Sequence, residues 1–304
     1  MEQWTRRAAL TAVTAAGAAA LIGAAPPQRG RRNVPSAPVL EIGTGEDAFT
    51  APARTVAGAV TLRVRNTSPR TGTVGVVRLH PGVTEEQFRT RLRALFTAEA
   101  PADVIHASRV MMATATQLGG ASHHSGIVAD ATVTLAPGRH LLLEYLDFMP
   151  GIGRGPAPGA EYVRPLTVTA DGPGGRAPVP CGTLTAHENA AGAPRFTLRG
   201  RVLADQPLRF VNAMREQVAE ARLYPVPDDA VTEADIVAFF AGEPGPPPVD
   251  FSGALGATPL TPGHEAVLRM PMRSGRYAVV SWVRALVDAR PLTAGGQILL
   301  TRVP

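Results

Sequence analysis

The feature that most constrains this chain is that its landmarks occur twice, in one order. A first series runs Leu62-Arg63-Val64-Arg65-Asn66, Arg78-Leu79-His80-Pro81, Thr84-Glu85-Glu86 and Pro137-Gly138-Arg139-His140-Leu141-Leu142-Leu143. A second runs Leu208-Arg209-Phe210-Val211-Asn212, Arg222-Leu223-Tyr224-Pro225, Thr232-Glu233-Ala234 and Ser274-Gly275-Arg276-Tyr277-Ala278-Val279-Val280. Recurrence of this kind marks one module folded twice. It predicts that Asn66 matches Asn212, Arg78 matches Arg222, Thr84 matches Thr232 and Gly138 matches Gly275.

Within each copy the local patterns are mostly those of strands. Val60, Leu62 and Val64 alternate with Thr61, Arg63 and Arg65, which is the period of a half-buried strand. Val74 to Leu79 reads as a second strand. Thr84 with Gln87 forms a capping-box signature, and Phe88, Leu92, Leu95 and Phe96 follow as one apolar helical stripe. Thr232 with Asp235 repeats that start, and Ile236 and Phe240 repeat the offsets of Phe88 and Leu92. Strands close each copy, around Leu141 to Leu143 and Leu166 to Val168 in the first, and around Ala278 to Trp282 and Ile298 to Leu300 in the second. Many short strands between Gly/Pro turns predict a mainly β chain of two tandem β-sandwich domains, each with one short helix.

The predicted organisation is an export signal over 1–25, a flexible tether over 26–37, a first domain over 38–170, a linker over 171–181 and a second domain over 182–304. The leader carries Arg6-Arg7 before an Ala-rich apolar run to Ala25. Thr5-Arg6-Arg7-Ala8-Ala9-Leu10 resembles the twin-arginine export consensus, with a general secretory signal or an uncleaved anchor as the other readings. Either way the expected place is secreted or extracytoplasmic, at the cell envelope. The linker, Asp171 to Pro180, is Gly- and Pro-rich and reads as extended and mobile. All 30 basic residues are Arg, and a net charge of +5 on 304 residues is too dilute for a nucleic-acid face. Membrane contact is expected only through an uncleaved leader, and the expected partner is an unidentified envelope protein or ligand. The single Cys181 forms no internal disulfide.

A strand ending in Asn, a later helix, and a Pro-Gly-Arg turn feeding an apolar strand together resemble the cupredoxin-like fold of blue copper proteins, over about residues 38 to 170 and 182 to 304. The resemblance implies Greek-key sandwiches. In that family a copper-binding Cys follows the turn's aromatic by four residues, and here those positions hold Glu144 and Ser281. The His that the family places soon after the strand Asn is missing too, since residues 67–77 and 213–223 contain none. The resemblance therefore implies a fold whose copper ligands are lost, with no cofactor.

Remaining candidates are sparse. His123 and His124 sit in Gly119-Gly120-Ala121-Ser122-His123-His124-Ser125-Gly126, which reads as a Gly/Ser loop; with His106 they are the candidate metal ligands, against a solvated loop as the plainer alternative. His80 and His140 read as side chains satisfied on strands. Phe148, Met149 and Ile152, between glycines and prolines, are candidate partner contacts, against a loop folded back on its own domain. No Ser elbow and no carboxylate pair at catalytic spacing stands out, so no catalytic residue is assigned.

Overall fold

The structure, a computed structural model, describes residues 36–46, 48–151, 161–172 and 174–304. The predicted export signal, nearly all of the predicted tether, and Ile152 lie outside the described residues.

Alternation sets the strands. The first half runs β1 (Val39–Thr44), β2 (Phe49–Thr50), β3 (Arg54–Val56), β4 (Gly58–Asn66), β5 (Gly72–Leu79), α1 (Glu85–Thr97), α2 (Pro101–Met112), β6 (Ala115–His123), β7 (Val128–Leu135), β8 (Gly138–Glu144) and β9 (Val163–Thr169). The second runs β10 (Gly182–Glu188), β11 (Pro194–Gly200), β12 (Leu208–Asn212), β13 (Ala219–Pro225), α3 (Glu233–Phe240), β14 (Leu255–Leu260), β15 (Glu265–Arg269), β16 (Gly275–Val280) and β17 (Leu299–Val303). The chain is mainly β, as its patterns predict. Among its described residues the first half carries two α-helices rather than one, because α2 follows α1 after a short break at 98–100.

The strands form two facing sheets, and both sheets run through both halves. One has the order β11-β10-β12-β15-β7-β4-β1-β2 and the other β17-β16-β13-β14-β6-β5-β8-β9-β3. Read outward from the middle, each half contributes the same order: β7-β4-β1-β2 against β15-β12-β10-β11, and β6-β5-β8-β9 against β14-β13-β16-β17. Parallel pairing of β1 with β4 is repeated by β10 with β12. The halves are thus copies joined edge to edge, and their described residues form one compact unit.

Register makes the relation two-fold. Ala121 pairs with Ala257 across one seam and Ala131 with Leu268 across the other. Tracing the ladders outward from these pairs matches Asn66 with Asn212, and the strand turns match Gly138 (φ 129°) with Gly275 (φ 146°). The same tracing corrects one landmark. Arg78 pairs with His140, whereas Tyr277, the residue matching His140, pairs with Pro225. Arg78 therefore matches Pro225, and Arg222 matches Gly75. The local string Arg-Leu-aromatic-Pro looked equivalent, but hydrogen-bonded register, not sequence likeness, decides which face a residue takes.

The main core lies between the sheets and continues across the seam, with Leu62, Val76 and Leu142 from one half and Phe210, Leu223 and Val279 from the other. Two smaller cores cover the outside of the longer sheet. Phe88 and Leu92 of α1 pack on Val77, Leu141 and Leu143, and Ile236 and Phe240 of α3 pack near Tyr224, Ala278 and Val280. Each such buried side chain contributes about 1.5–3 kcal/mol. The segment between the halves lies along the shorter sheet instead of hanging free: Gly175 bridges Ala59, Arg176 bridges Ser36, and the Ala37 N–H donates to the Arg176 carbonyl at 3.2 Å.

Candidate functional site

The strand ends where the resemblance would place copper are occupied by structural hydrogen bonds. Asn66 Oδ1 accepts the Ser68 N–H at 2.9 Å and Asn212 Oδ1 accepts the Met214 N–H at 3.1 Å, so both asparagines hold the turn that follows their strand. Glu144 is buried, and its carboxylate accepts the Thr73 N–H at 2.8 and 2.9 Å, the Leu146 N–H at 3.3 Å and the Thr44 hydroxyl at 3.4 Å. One acid thereby fastens β1, β5 and the turn after β8. At the matching position Ser281 is buried, and its backbone N–H donates to Thr293 Oγ1 at 2.7 Å, fixing the loop 281–293.

Of the two adjacent candidate histidines, His124 lies in the loop after β6 but His123 does not. β6 continues to His123, whose side chain is 0% exposed. Its Nδ1 lies 3.0 Å from the His124 carbonyl, its Nε2 has no partner among the described residues, and burial holds the imidazole below its ordinary range. His124 Nδ1 lies 2.9 Å from the Ser125 carbonyl. His106 is exposed on α2, and among the described residues no three His, Cys, Asp or Glu side chains converge as a metal set. The small residues of 119–122 suggested a loop because a strand at the centre of a sheet, covered on both faces, needs little side-chain volume of its own. Gly120 approaches the Val74 carbonyl so closely that a Cβ there would collide with it.

The partner-contact reading fails for Phe148, which is 4% exposed and packs with Tyr145, Leu143 and Val163 in the core beneath α1. Met149 is half-buried. His80 lies just past the end of β5 rather than on it, but its side chain is satisfied, with Nδ1 3.0 Å from the Ala113 carbonyl and Nε2 3.1 Å from Thr116 Oγ1. His140 is buried on β8, and its Nε2 has no partner among the described residues, so it is only partly satisfied.

Two arrangements arise only where the halves meet. On the longer sheet, Arg222 is 8% exposed; its guanidinium donates to Glu220 at 3.1 Å, to Thr73 Oγ1 at 3.4 Å and closely to Ser122 Oγ. Glu220 also accepts the Trp282 N–H at 3.0 Å. A charge from one half is thus satisfied by hydroxyls of the other. On the shorter sheet a groove of about 770 Å³ opens over the seam, between the segment 176–179 and the turn at 205–207. Its floor is made by Thr61 and Thr132, whose hydroxyls lie 2.8 Å apart, with Val267 beside them. Arg63 spans the floor's edge and donates to both Asp130 oxygens, at 2.8 and 2.9 Å. Alternation marks these as outward-facing residues, but sequence does not show that β7 and β15 are neighbours, so nothing local could assemble the groove.

No protein-family model matches the chain, and no curated protein matches it. Among solved structures it is similar to a dithionite-reduced auracyanin from the photosynthetic bacterium Roseiflexus castenholzii, at 21% identity over 40% of this chain and 94% of that one, with a TM-score of 0.26. It is similar to auracyanin A of Chloroflexus aurantiacus, described as a "blue" copper protein, at 20% identity over 43% and 98% of the two chains, TM-score 0.28. A copper nitrite reductase from Nitrosomonas europaea matches at 14% identity over 88% and 93%, TM-score 0.23. Likenesses of this strength say nothing about what the chain binds or does.

Proposed function

We propose that this is an exported, non-enzymatic protein of two cupredoxin-like halves, without a type 1 copper centre, acting by binding or as a structural element at the cell envelope. The observation that carries this reading is the use made of Glu144 and Ser281. A type 1 centre draws its properties from a thiolate, two imidazoles and a weak axial ligand. Here an acid stands at one thiolate position, tied to Thr73, Leu146 and Thr44, and at the other Ser281 closes a loop through Thr293. The only Cys, Cys181, lies far along the chain from both, and its thiol donates toward the Pro207 carbonyl at 3.3 Å.

The test is a Cu(II) titration of the purified protein followed by visible absorption. We expect no intense thiolate-to-copper band; such a band would overturn the reading. Export is tested separately: Arg6→Lys with Arg7→Lys should retain the chain inside the cell if the leader uses the twin-arginine route, and unchanged export would remove that route from the reading.

A further inference from the structure

We propose that the groove over the shorter sheet's seam is a binding site for a small amphipathic anion, one acidic head on an apolar body, held between Arg269 and Arg176. This rests on the reading of the protein as a binding module and names the ligand class and the residues that select it.

Charge decides the class of head. Three arginines and two aspartates line the groove. Arg63 is spent: it is bidentate on Asp130 and also lies 3.5 Å from Glu41, and its hydrogen bonds to Asp130 push its pKa further up. Arg269 stands directly across the ladder from that occupied Asp130 and donates only its Nε, to the Asp205 carbonyl at 3.0 Å. Its two terminal nitrogens have no partner among the described residues. Arg176 lines the same groove from the segment 176–179 and has no side-chain partner among the described residues. A planar guanidinium with free terminal N–H groups suits a carboxylate, sulfonate or phosphate oxygen pair. Asp205 is the opposing charge; it sits at φ 53°, a turn conformation that presents its carbonyl to Arg269.

The apolar body follows from the rest of the lining. Val39 is 43% exposed and Val179 is 72% exposed, and both line the groove with Pro178, Pro207 and Val267. The groove thus sets apolar side chains beside convergent charges, and its size is that of a small-molecule site. The position is also reasoned from the fold: the seam is where two copies of one module meet, so the groove is lined by both and exists in neither alone.

The experiment uses the whole protein and anilinonaphthalene sulfonate as probe, read by fluorescence and by calorimetry. One molecule should bind per chain, more weakly as sodium chloride rises. Arg176→Ala with Arg269→Ala should weaken binding by about tenfold or more. Asp205→Asn, which keeps the turn and removes the opposing charge, should tighten it. Arg290→Ala, at an exposed arginine paired with Asp288, should leave it unchanged. Decanoate should displace the probe at far lower concentration than inorganic sulfate. Equal binding by the double variant, no gain with Asp205→Asn, or displacement by sulfate as readily as by decanoate would each overturn the proposal. None of these outcomes bears on the copper titration, so the failure of one reading is distinguishable from the failure of the other.

Discussion

Arg222 brings a positive charge to a place with almost no solvent, and it is tolerated because Glu220, Ser122 and Thr73 surround it. Removing one partner of such a pair leaves the other charge buried alone, which costs about 3–5 kcal/mol. Arg222→Met should therefore lose stability of that order in urea melts, and Arg222→Met with Glu220→Gln should recover much of it, because the glutamine still accepts the Trp282 N–H. A double variant no better than the single would show that the pair's charge was not the cause. The two buried imidazoles bring a pH dependence. His123 and His140 are both held below the ordinary value of 6.5, chiefly by desolvation, so the folded state takes up their protons less readily than the unfolded chain. Their contribution is flat above about pH 6.5, and stability is lost as pH falls below it. Paired melts at pH 7.5 and 5.5 should show the loss, and His123→Gln with His140→Phe should reduce it. An unchanged slope in that variant would assign the acid sensitivity to other groups.

Elements were legible to different degrees, and the differences have physical reasons. Both capping boxes are present as read: Thr84 accepts the Gln87 N–H at 3.1 Å while Gln87 returns a bond at 3.0 Å, and Thr232 and Asp235 do the same. Such a signal is local, so sequence carries all of it. Thr84→Ala and Thr232→Ala should each cost about 1 kcal/mol in thermal or denaturant melts, and a cost near zero at either would mean that tertiary packing alone holds that helix. α2 carries a weaker signal, Pro101 at its first position with Asp103 in the first turn, because its cap residue Ala100 makes no side-chain bond. β6 was hidden for the opposite reason. Its residues are small because the strand is closely covered, with Leu260 and Ala266 against Gly119 and Thr258 against Gly120, and that coverage comes from distant segments. His123 was misplaced with it. The groove was illegible at this scale too: Arg63 and Asp130 each look like ordinary outward residues of an alternating strand until the ladder sets them side by side.

At the scale of the whole molecule, the repeat predicted two halves of one design, and the two-fold register follows it down to Ala121 against Ala257. What repetition cannot specify is how two copies meet. Here they meet by strand pairing, with β6 on β14 and β7 on β15, so both sheets and the main core are shared. Cutting at the seam would expose two strand edges on each half, together with core residues, and unpaired edges of that kind recruit other strands. The full chain should therefore unfold in urea as one transition, with fluorescence and circular dichroism coincident, because neither half keeps its core once the seam opens. Residues 36–170 and 182–304 made as separate chains should each self-associate or remain unfolded, and mixing them should restore a one-to-one complex with the melting behaviour of the intact protein. Gly256→Ala gives the same test by a single atom: Gly256 sits at φ 142°, and an added Cβ would strike the Ala221 carbonyl beside the seam. That variant should lower the single transition as a whole rather than split it. Two resolved transitions, in the parent or the variant, would mean that the halves fold independently and that the seam adds contact without cooperativity.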